Sequence, residues 1–237
     1  MLIIIIAAAV SSGGKGPTAS SSNTTQAAST TTPKAATAPT TTQAAAPTTT
    51  AADPTTTFTD QFGTFAPVSK SGSGSSVITL PAGAKAGIVT ATYSGTANFV
   101  ISTLDASNTS AGDLLVNTIG KYSGTTAFGL SSISGDAAKL KIDASGPWTV
   151  NIQPIASAPA LAVPAKATGD NVFIYAGPAD SWAITNTGQS NFVVYFIGNM
   201  SDLLVNEIGS YSGTVPVTAG PAIIIVESDG AWTISKG

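Results

Sequence analysis

The side chains best suited to catalysis in this chain are two pairs of carboxylates, which occupy matching places in a repeated sequence. Asp113 and Asp143 form the first pair, and Asp202 and Glu227 form the second. Two carboxylates at a suitable separation can hydrolyse a glycosidic bond. Asp113 and Asp202 each follow a loop, however, where Asp commonly binds its own backbone. We therefore expect no catalytic residues, and a carboxylate-dependent glycoside hydrolase is the least favoured function.

A second group of oxygen-bearing side chains suggests a cation site. Asp105, Asn108 and Asp113 lie around one loop, and Ca²⁺ takes about six to eight oxygen ligands. The shorter loop of the second copy, 198–202, does not reproduce this ligand set. The sequence therefore predicts no metal site and no cofactor, while a calcium site at 105–113 stays open as an alternative.

Two asparagine and tyrosine pairs are the candidate ligand-binding residues. Asn117 and Tyr122 recur in the second copy as Asn206 and Tyr211. Amide groups beside aromatic faces can bind sugars, because an aromatic ring combines a large apolar face with a polar edge. A carbohydrate-binding module for cell-wall or capsule glycan is therefore the leading alternative function. A tyrosine followed by Ser-Gly-Thr could equally cover the edge of the core at a turn.

Composition excludes several classes of protein. Only 9% of the 237 residues are charged, far below the roughly 25% of typical soluble domains. All nine cations are lysines, and the chain has no Arg, Cys or His. Nucleic-acid binders neutralise phosphates with clustered Lys and Arg, so we expect no nucleic-acid partner. Without Cys there are no disulfides and no thiolate chemistry.

The N-terminal region indicates export. Leu2–Val10 is an apolar run of nine residues, shorter than the roughly 20 that span a bilayer. We interpret residues 1–10 as a truncated membrane anchor, with a weak signal peptide as the alternative and a buried core helix as a less favoured one. Residues 11–57 are rich in Thr, Ala and Pro, which predicts a disordered, semi-stiff linker, either O-glycosylated or unmodified. The expected location is extracytoplasmic, either membrane-anchored or secreted.

The rest of the chain contains one module twice. Residues 113–125 read DLLVNTIGKYSGT and residues 202–214 read DLLVNEIGSYSGT. Asn-Phe-Val precedes each of these segments, and a Gly-x-Trp-Thr signature follows each, in the same order. Such self-similarity is typical of repeated structural units. We place module 1 at 58–156 and module 2 at 157–237.

Each module has the pattern of a small β-sandwich. Polar and apolar residues alternate in 139–143 and again in 148–153, as expected for strands with one buried face. Trp148 and Trp232 begin such alternations and are assigned to the core. Roughly six to eight short strands in about 80 residues, with no convincing helix, predict an all-β chain. The predicted fold is two tandem, jelly-roll-like antiparallel β-sandwich modules after a disordered stalk.

The run NFV…DLLVN-x-IG-x-YSGT…GPWTV resembles a module of secreted or membrane-anchored actinobacterial proteins, where it often follows a membrane helix and a Gly/Ser/Thr-rich spacer. The resemblance covers roughly 58–236. More loosely, the chain is similar to the small jelly-roll accessory domains of secreted bacterial peptidases. The resemblance implies architecture and location, and it implies no activity.

Module 2 carries apolar residues where module 1 is polar. Ile223 and Ile225 replace two lysines of module 1, and Tyr195 replaces a serine. A strand that is apolar on both faces is usually buried on both, and large exposed apolar patches tend to mark contacts. We predict an interface at these three residues, covered either by module 1 with the 157–168 linker or by another protein. The alternative is an exposed strand whose isoleucines reflect only β-propensity.

The sequence as a whole predicts a non-catalytic, extracellular, surface-displayed binding or structural protein. Its partner is expected to be a cell-surface glycan or a cell-surface protein. Contact with a membrane is expected only through the N-terminal segment, if the start is truncated.

Overall fold

The structure is a computed structural model that describes residues 53–131 and 134–237. These residues belong to one compact unit, Thr49–Gly237. Within them the chain forms sixteen strands, one α-helix and one short 3-10 turn. In this part of the chain, no helix has the length and hydropathy that a membrane span needs. The predicted anchor at 1–10, and the predicted linker as far as residue 52, lie outside the described residues.

Module 1 is a sandwich of two antiparallel four-stranded sheets. Its strands are β1 (Val68–Ser73), β2 (Ser76–Thr79), β3 (Gly87–Tyr93), β4 (Asn98–Leu104), β5 (Ser110–Ile119), β6 (Tyr122–Phe128), β7 (Lys139–Ala144) and β8 (Pro147–Pro154). One sheet has the order β1-β8-β3-β6 and the other has the order β2-β7-β4-β5. Two four-stranded sheets with this strand exchange are a jelly roll.

Module 2 repeats this topology strand for strand. Its strands are β9 (Ala165–Thr168), β10 (Asn171–Tyr175), β11 (Asp180–Asn186), β12 (Asn191–Ile197), β13 (Ser201–Ile208), β14 (Tyr211–Val217), β15 (Ala222–Glu227) and β16 (Ala231–Lys236). The sheet orders are β9-β16-β11-β14 and β10-β15-β12-β13. The prediction of two tandem jelly-roll-like sandwiches is confirmed.

The matched tryptophans each bind a glycine that occupies the same place in both modules, three residues before the matched valine Val77 or Val172. Trp148 and Trp232 are buried in the cores of their modules. Each indole N–H donates to a glycine carbonyl, Gly74 at 2.8 Å in module 1 and Gly169 at 3.0 Å in module 2. Both glycines have a positive φ, which glycine adopts without steric cost. The matched tryptophan and the matched glycine therefore form the same internal contact in each module.

One helix departs from the sequence expectation. The sequence pattern predicts no helix and a linker through residue 57, whereas α1 spans Pro54–Phe62. The carboxylate of Asp53 caps the helix by accepting the N–H of Thr55 at 2.9 Å, and proline is favoured in a first turn because its missing N–H is not needed there. Phe58 and Phe62 lie one turn apart, with ring centroids separated by 6.3 Å. They form an apolar stripe that docks the helix.

The two modules are joined by a third apolar core, which we call the inter-module cluster. Its buried members come from α1, module 1, the 3-10 turn at Ile155–Ser157 with the residue after it, and module 2: Phe58, Ala86, Ile88, Ile155, Ala158, Val172, Ile174 and Ile223. Of the residues predicted at an interface, Ile223 is fully buried in this cluster and Ile225 is partly buried against it. Tyr195, half-buried, lies beside Ile225 on the next strand. The extra apolar face of module 2 is therefore covered from within the same chain.

A matched pair of valines shows how docking changes the exposure of the outer sheet face. Val77 of β2 and Val172 of β10 occupy the same place in their modules, opposite Lys141 and Ile225 respectively. Val77 is 54% exposed, whereas Val172 is 2% exposed. The same outer sheet face is thus open to solvent in module 1 and covered in module 2.

Polar contacts around Asp170 fix the docked arrangement. The Tyr122 hydroxyl of module 1 donates to Asp170 Oδ2 at 2.7 Å, and the N–H of Thr125 donates to the Asp170 carbonyl at 2.9 Å. The N–H of Ser228 in module 2 donates to Asp170 Oδ1 at 2.9 Å. Burial raises the pKa of the Asp170 carboxyl, and burial together with Asp170 raises the pKa of Glu227 to about 7. Asp170 therefore connects the two modules, and its carboxyl lies close to that of Glu227.

Docking should weaken as the pH rises. Asp170 and Glu227 hold protons more strongly in the folded chain than in the unfolded one, where their ordinary pKa values are 3.8 and 4.5. Their contribution to stability is therefore complete below those values and is lost as the pH rises toward 7. Glu227 keeps more than a third of its surface open, and water screens the pair, so the expected effect is small.

The measurement is the free energy of unfolding in urea at about pH 5 and about pH 8. We expect the wild type to be more stable at the lower pH, and Glu227→Gln to reduce that difference. Equal stability at both pH values would contradict this prediction, as would a larger stability at the higher pH.

Candidate functional site

The candidate catalytic carboxylates do not converge in either module. In module 1, the N–H of Asp113 donates to the hydroxyl of Thr103, whose side chain is buried. Asp143 instead lies opposite Val100, on the outer face of the sheet. Positions 100 and 103 are three residues apart on β4, so they face opposite sides of the sheet. In module 2, Asp202 and Glu227 likewise lie opposite residues of β12 that are three apart. The arrangement therefore separates the members of each pair.

Asp113 has a structural role in module 1. Its Oδ1 accepts the Ser134 hydroxyl at 2.5 Å, and its Oδ2 accepts the N–H of Gly129 at 3.0 Å. These bonds hold the loop that follows β6. Asp143 forms an ion pair with Lys141, with 2.8 Å between Nζ and Oδ2.

Removing the Asp113 carboxylate should destabilise module 1. Removing its counterpart in module 2, Asp202, should leave the stability nearly unchanged. We expect Asp113→Ala to lower the free energy of unfolding by about 1–3 kcal/mol, because two hydrogen bonds to a charged group are lost. Asp202 is exposed, so Asp202→Ala should change it by less than about 0.5 kcal/mol. Urea denaturation of both variants checks this, and equal losses would contradict the assignment.

The loop proposed as a calcium alternative is bound by a lysine from β7, Lys139. Asp105 Oδ1 accepts the N–H groups of Ser107 and Thr109 at 2.8 and 2.9 Å. Asn108 Oδ1 accepts from Lys139 Nζ at 2.6 Å. The candidate oxygens of Asp105 and Asn108 are thus bound to backbone N–H groups and to an ammonium group, and those of Asp113 are bound to Gly129 and Ser134. Across the described residues, no three acidic side chains lie close enough together to bind a metal.

The candidate ligand-binding residues fall on different surfaces. Tyr122 and Tyr211 are half-buried, each with its ring centroid 5.7 Å from that of a core phenylalanine, Phe99 or Phe192. Burial and the neighbouring Asp170 raise the pKa of Tyr122, as expected for a hydroxyl that donates to a carboxylate. Asn117 and Asn206 are instead exposed, on β5 and β13. The structure therefore does not bring the asparagine and tyrosine of a module to one surface.

The exposed asparagines lie in an apolar stripe that both modules share. Leu114 and Ile119 flank Asn117 and are 61% and 78% exposed, and Leu203 and Ile208 flank Asn206 and are 51% and 80% exposed. We call these residues the edge-strand surface: Leu114, Asn117 and Ile119 on β5, and Leu203, Asn206 and Ile208 on β13. Their identities are the same in the two copies.

A bulge in each edge strand explains the exposed leucines. On β4, Ile101 lies opposite Val116 and Ser102 lies opposite Leu114, so Leu115 is an extra residue. A bulge of this kind redirects the side chains before it. Leu115 packs against the core while Leu114 turns outward. The same shift between β12 and β13 directs Leu204 inward and Leu203 outward.

Sequence reasoning selected the asparagines and missed the leucines and isoleucines beside them. A signal for the isoleucines was present, because residues 117 and 119 lie on one face of a strand, as do 206 and 208. Alternation alone could not predict that the leucines are exposed, because the extra residue in each bulge changes which side chains point outward.

A groove in module 2 offers a concave surface but no catalytic arrangement. Its volume is about 580 Å³, and its apolar wall includes Leu161, Ile174 and Tyr175. The charged residues lining it, Asp180 and Lys236, pair with each other at 3.6 Å. Its two charged side chains are therefore paired with each other.

No family model matches the chain, and no curated protein matches it. Among solved structures, the glycoside hydrolase domain of Endo-D from Streptococcus pneumoniae is similar over 72% of this chain and 33% of its own, with 14% identity and a TM-score of 0.22. This chain thus spans about a third of the length of that structure. The class of protein is given by the fold itself: two docked jelly rolls, each with the same apolar edge.

Proposed function

We propose that this chain is a non-catalytic, extracytoplasmic binding protein whose two modules each present the edge-strand surface to a partner. The observation that supports this is the repetition of three exposed residues, Leu, Asn and Ile, at the same places in both modules. An exposed Leu or Ile adds little to the stability of a fold, and clusters of such residues tend to mark contact sites.

Neighbouring surface positions differ between the copies. The half-buried Thr118, within the same strand, is replaced by the exposed Glu207, and the exposed Lys121 is replaced by Ser210. The two modules have therefore diverged around a surface that stayed the same. A common partner for both modules accounts for this pattern.

The docked modules hold the two surfaces in a fixed relation. A partner that offers two binding segments could engage both, which raises its apparent affinity without new contacts. The non-catalytic assignment is supported by the separation of the candidate carboxylates. The glycan-binding alternative is weakened, because the rings of Tyr122 and Tyr211 pack against core phenylalanines.

The test is a fourfold variant, Leu114→Thr, Ile119→Thr, Leu203→Thr and Ile208→Thr. Threonine keeps strand propensity while removing apolar surface. The matched control is Val77→Thr with Met200→Thr, since both residues are exposed and apolar but lie outside the repeated surface.

Wild type and both variants would be compared on a peptide array and a glycan array. We expect the fourfold variant to lose about tenfold or more in affinity and the control to bind like the wild type. Unchanged binding by the fourfold variant would overturn the proposal. Turnover of a polysaccharide that Asp113→Asn with Asp202→Asn abolishes would also overturn it.

A further inference from the structure

We propose that the edge-strand surface binds an extended polypeptide segment, which adds to β5 or to β13 as one more strand of the sheet. This inference rests on the proposed function and names the partner class. It is carried by the backbone of these two strands as well as by their side chains.

The strand backbones present open hydrogen-bonding groups beside the exposed side chains. β5 and β13 are the last strands of their sheets, paired only with β4 and β12. The N–H of Gly120 donates to the carbonyl of Ala97 at 3.0 Å, on the β4 side. In an antiparallel ladder, alternate residues direct both N–H and C=O to the same neighbour. Residues 118 and 116 therefore also face β4, and Asn117 and Ile119 face the open edge.

The same alternation holds in module 2. The N–H of Gly209 donates to the carbonyl of Ser190 at 2.7 Å. Residues 207 and 205 therefore face β12, whereas Asn206 and Ile208 face the open edge. Asn117 and Ile119 in β5, and Asn206 and Ile208 in β13, thus combine exposed side chains with open backbone groups.

Four other sheet edges, β1, β6, β9 and β14, carry features that oppose strand addition, and the remaining edge of module 1, β2, is only four residues long. The N–H of Thr125 on β6 is bound to Asp170, and β14 contains Pro216, which has no N–H to offer. β1 and β9 each contain a lysine, Lys70 or Lys166. Charge, proline and coverage are the usual ways in which edge strands avoid new partners. β5 and β13 combine an open edge with large exposed apolar side chains.

The chain already uses strand addition once. The extended segment after the 3-10 turn covers the edge of β10, with a parallel bridge between Ala160 and Ile174. The N–H of Leu161 donates to the Ile174 carbonyl at 2.7 Å, and the N–H of Ile174 donates to the Pro159 carbonyl at 2.8 Å. An extended segment therefore suffices to close an edge of this fold.

The available length of edge defines the partner. In module 1, the N–H of Gly135 donates to the Ala111 carbonyl at 2.7 Å, so a loop closes the first part of β5. The open part is 114–119, and its equivalent in module 2 is 203–208. A segment of about six extended residues fits this length. Its side chains would alternate, with apolar ones on the outer face against the leucine and isoleucine.

The experiment uses the full chain and two probe peptides. The first is an end-blocked hexapeptide of alternating threonine and valine. The second has the same sequence with N-methylated threonines and valines, so that its amide N–H groups cannot donate. Backbone amide signals and hydrogen exchange are followed by NMR.

The first peptide is expected to shift the amides of Asn117, Ile119, Asn206 and Ile208 and to slow their exchange about tenfold. The N-methylated peptide is expected to do neither, and the fourfold threonine variant should bind the first peptide more weakly. Equal binding of the two peptides would overturn strand addition and leave the proposed function standing.

Two further outcomes would also overturn this inference. Binding of neither peptide, with array binding still lost in the fourfold variant, would place a different partner on the same surface. Protection of Asn117 or Asn206 that rises with protein concentration in the absence of peptide would mean that a second copy of this chain occupies the edge.

Discussion

Replacing Ile223 with lysine is expected to separate the two modules. Ile223 is fully buried in the inter-module cluster. A lysine there would either place an unpaired charge in an apolar core or leave the interface to reach water, and uncompensated buried charges are strongly destabilising. We expect the free energy of unfolding to fall by more than about 3 kcal/mol.

The separation has specific readouts. Hydrogen exchange at Ile88 and Val172 should rise, and protease should cut the chain between residues 155 and 164. The near-ultraviolet circular dichroism of the module 2 tryptophans should persist, because Trp182 and Trp232 belong to a different core. A variant with wild-type protection at both sites would contradict the docking.

Two control variants test whether the loss of stability depends on burial in the inter-module cluster. Ile225 is only partly buried, so Ile225→Lys should loosen the interface less than Ile223→Lys does. Lys139 holds in module 1 the place that Ile223 holds in module 2, and it is not covered by another module. Lys139→Ile should therefore leave the inter-module cluster intact.

Replacing Trp232 with alanine is expected to remove much of the stability of module 2. The side chain is 1% exposed, packs against Phe173 with ring centroids 5.9 Å apart, and donates to Gly169. Truncation of a buried tryptophan costs about 3–5 kcal/mol, through lost burial and the cavity left behind. Urea denaturation measures the loss.

A second substitution separates the contribution of the indole N–H from that of the aromatic ring. Trp232→Phe keeps an aromatic ring but removes the indole N–H, which leaves the Gly169 carbonyl without that donor. We expect it to cost about 1–3 kcal/mol. Trp148→Ala is the equivalent change in module 1 and should have a comparable effect there. A loss below about 1 kcal/mol for Trp232→Ala would contradict its role in the core.

The strands and their repetition could be predicted from the sequence because both depend on local pattern. Alternation of side chains marks strands such as β7 and β8, and the repeat predicts that both copies share one topology. The helix α1 could not be recognised from periodicity, since only Phe58 and Phe62 mark its apolar face. Its other signal, the Asp-Pro start at residue 53, lies at the end of a tract rich in threonine and proline.

The site was harder to predict than the fold. Tyr122 and Tyr211 lie in the same Tyr-Ser-Gly-Thr sequence, yet only Tyr122 donates to Asp170. That difference comes from the order of the modules along the chain, since Asp170 lies in the turn between β9 and β10 of module 2 and module 1 packs beside that turn. No local pattern contains this information. The bulges that expose Leu114 and Leu203 are likewise a property of the paired strands.

The two modules dock through unlike surfaces. Module 1 uses its β3 and β6 side to cover the β10 and β15 side of module 2, so the contact joins two different surfaces. Contacts of this head-to-tail kind can continue indefinitely unless the end surfaces differ. Here they do: Lys139 and Lys141 stand on the open face of module 1, and Ser181 holds in β11 the place of Ile88 in β3. The apolar contact that joins the two modules is therefore not offered again by the outer face of either module.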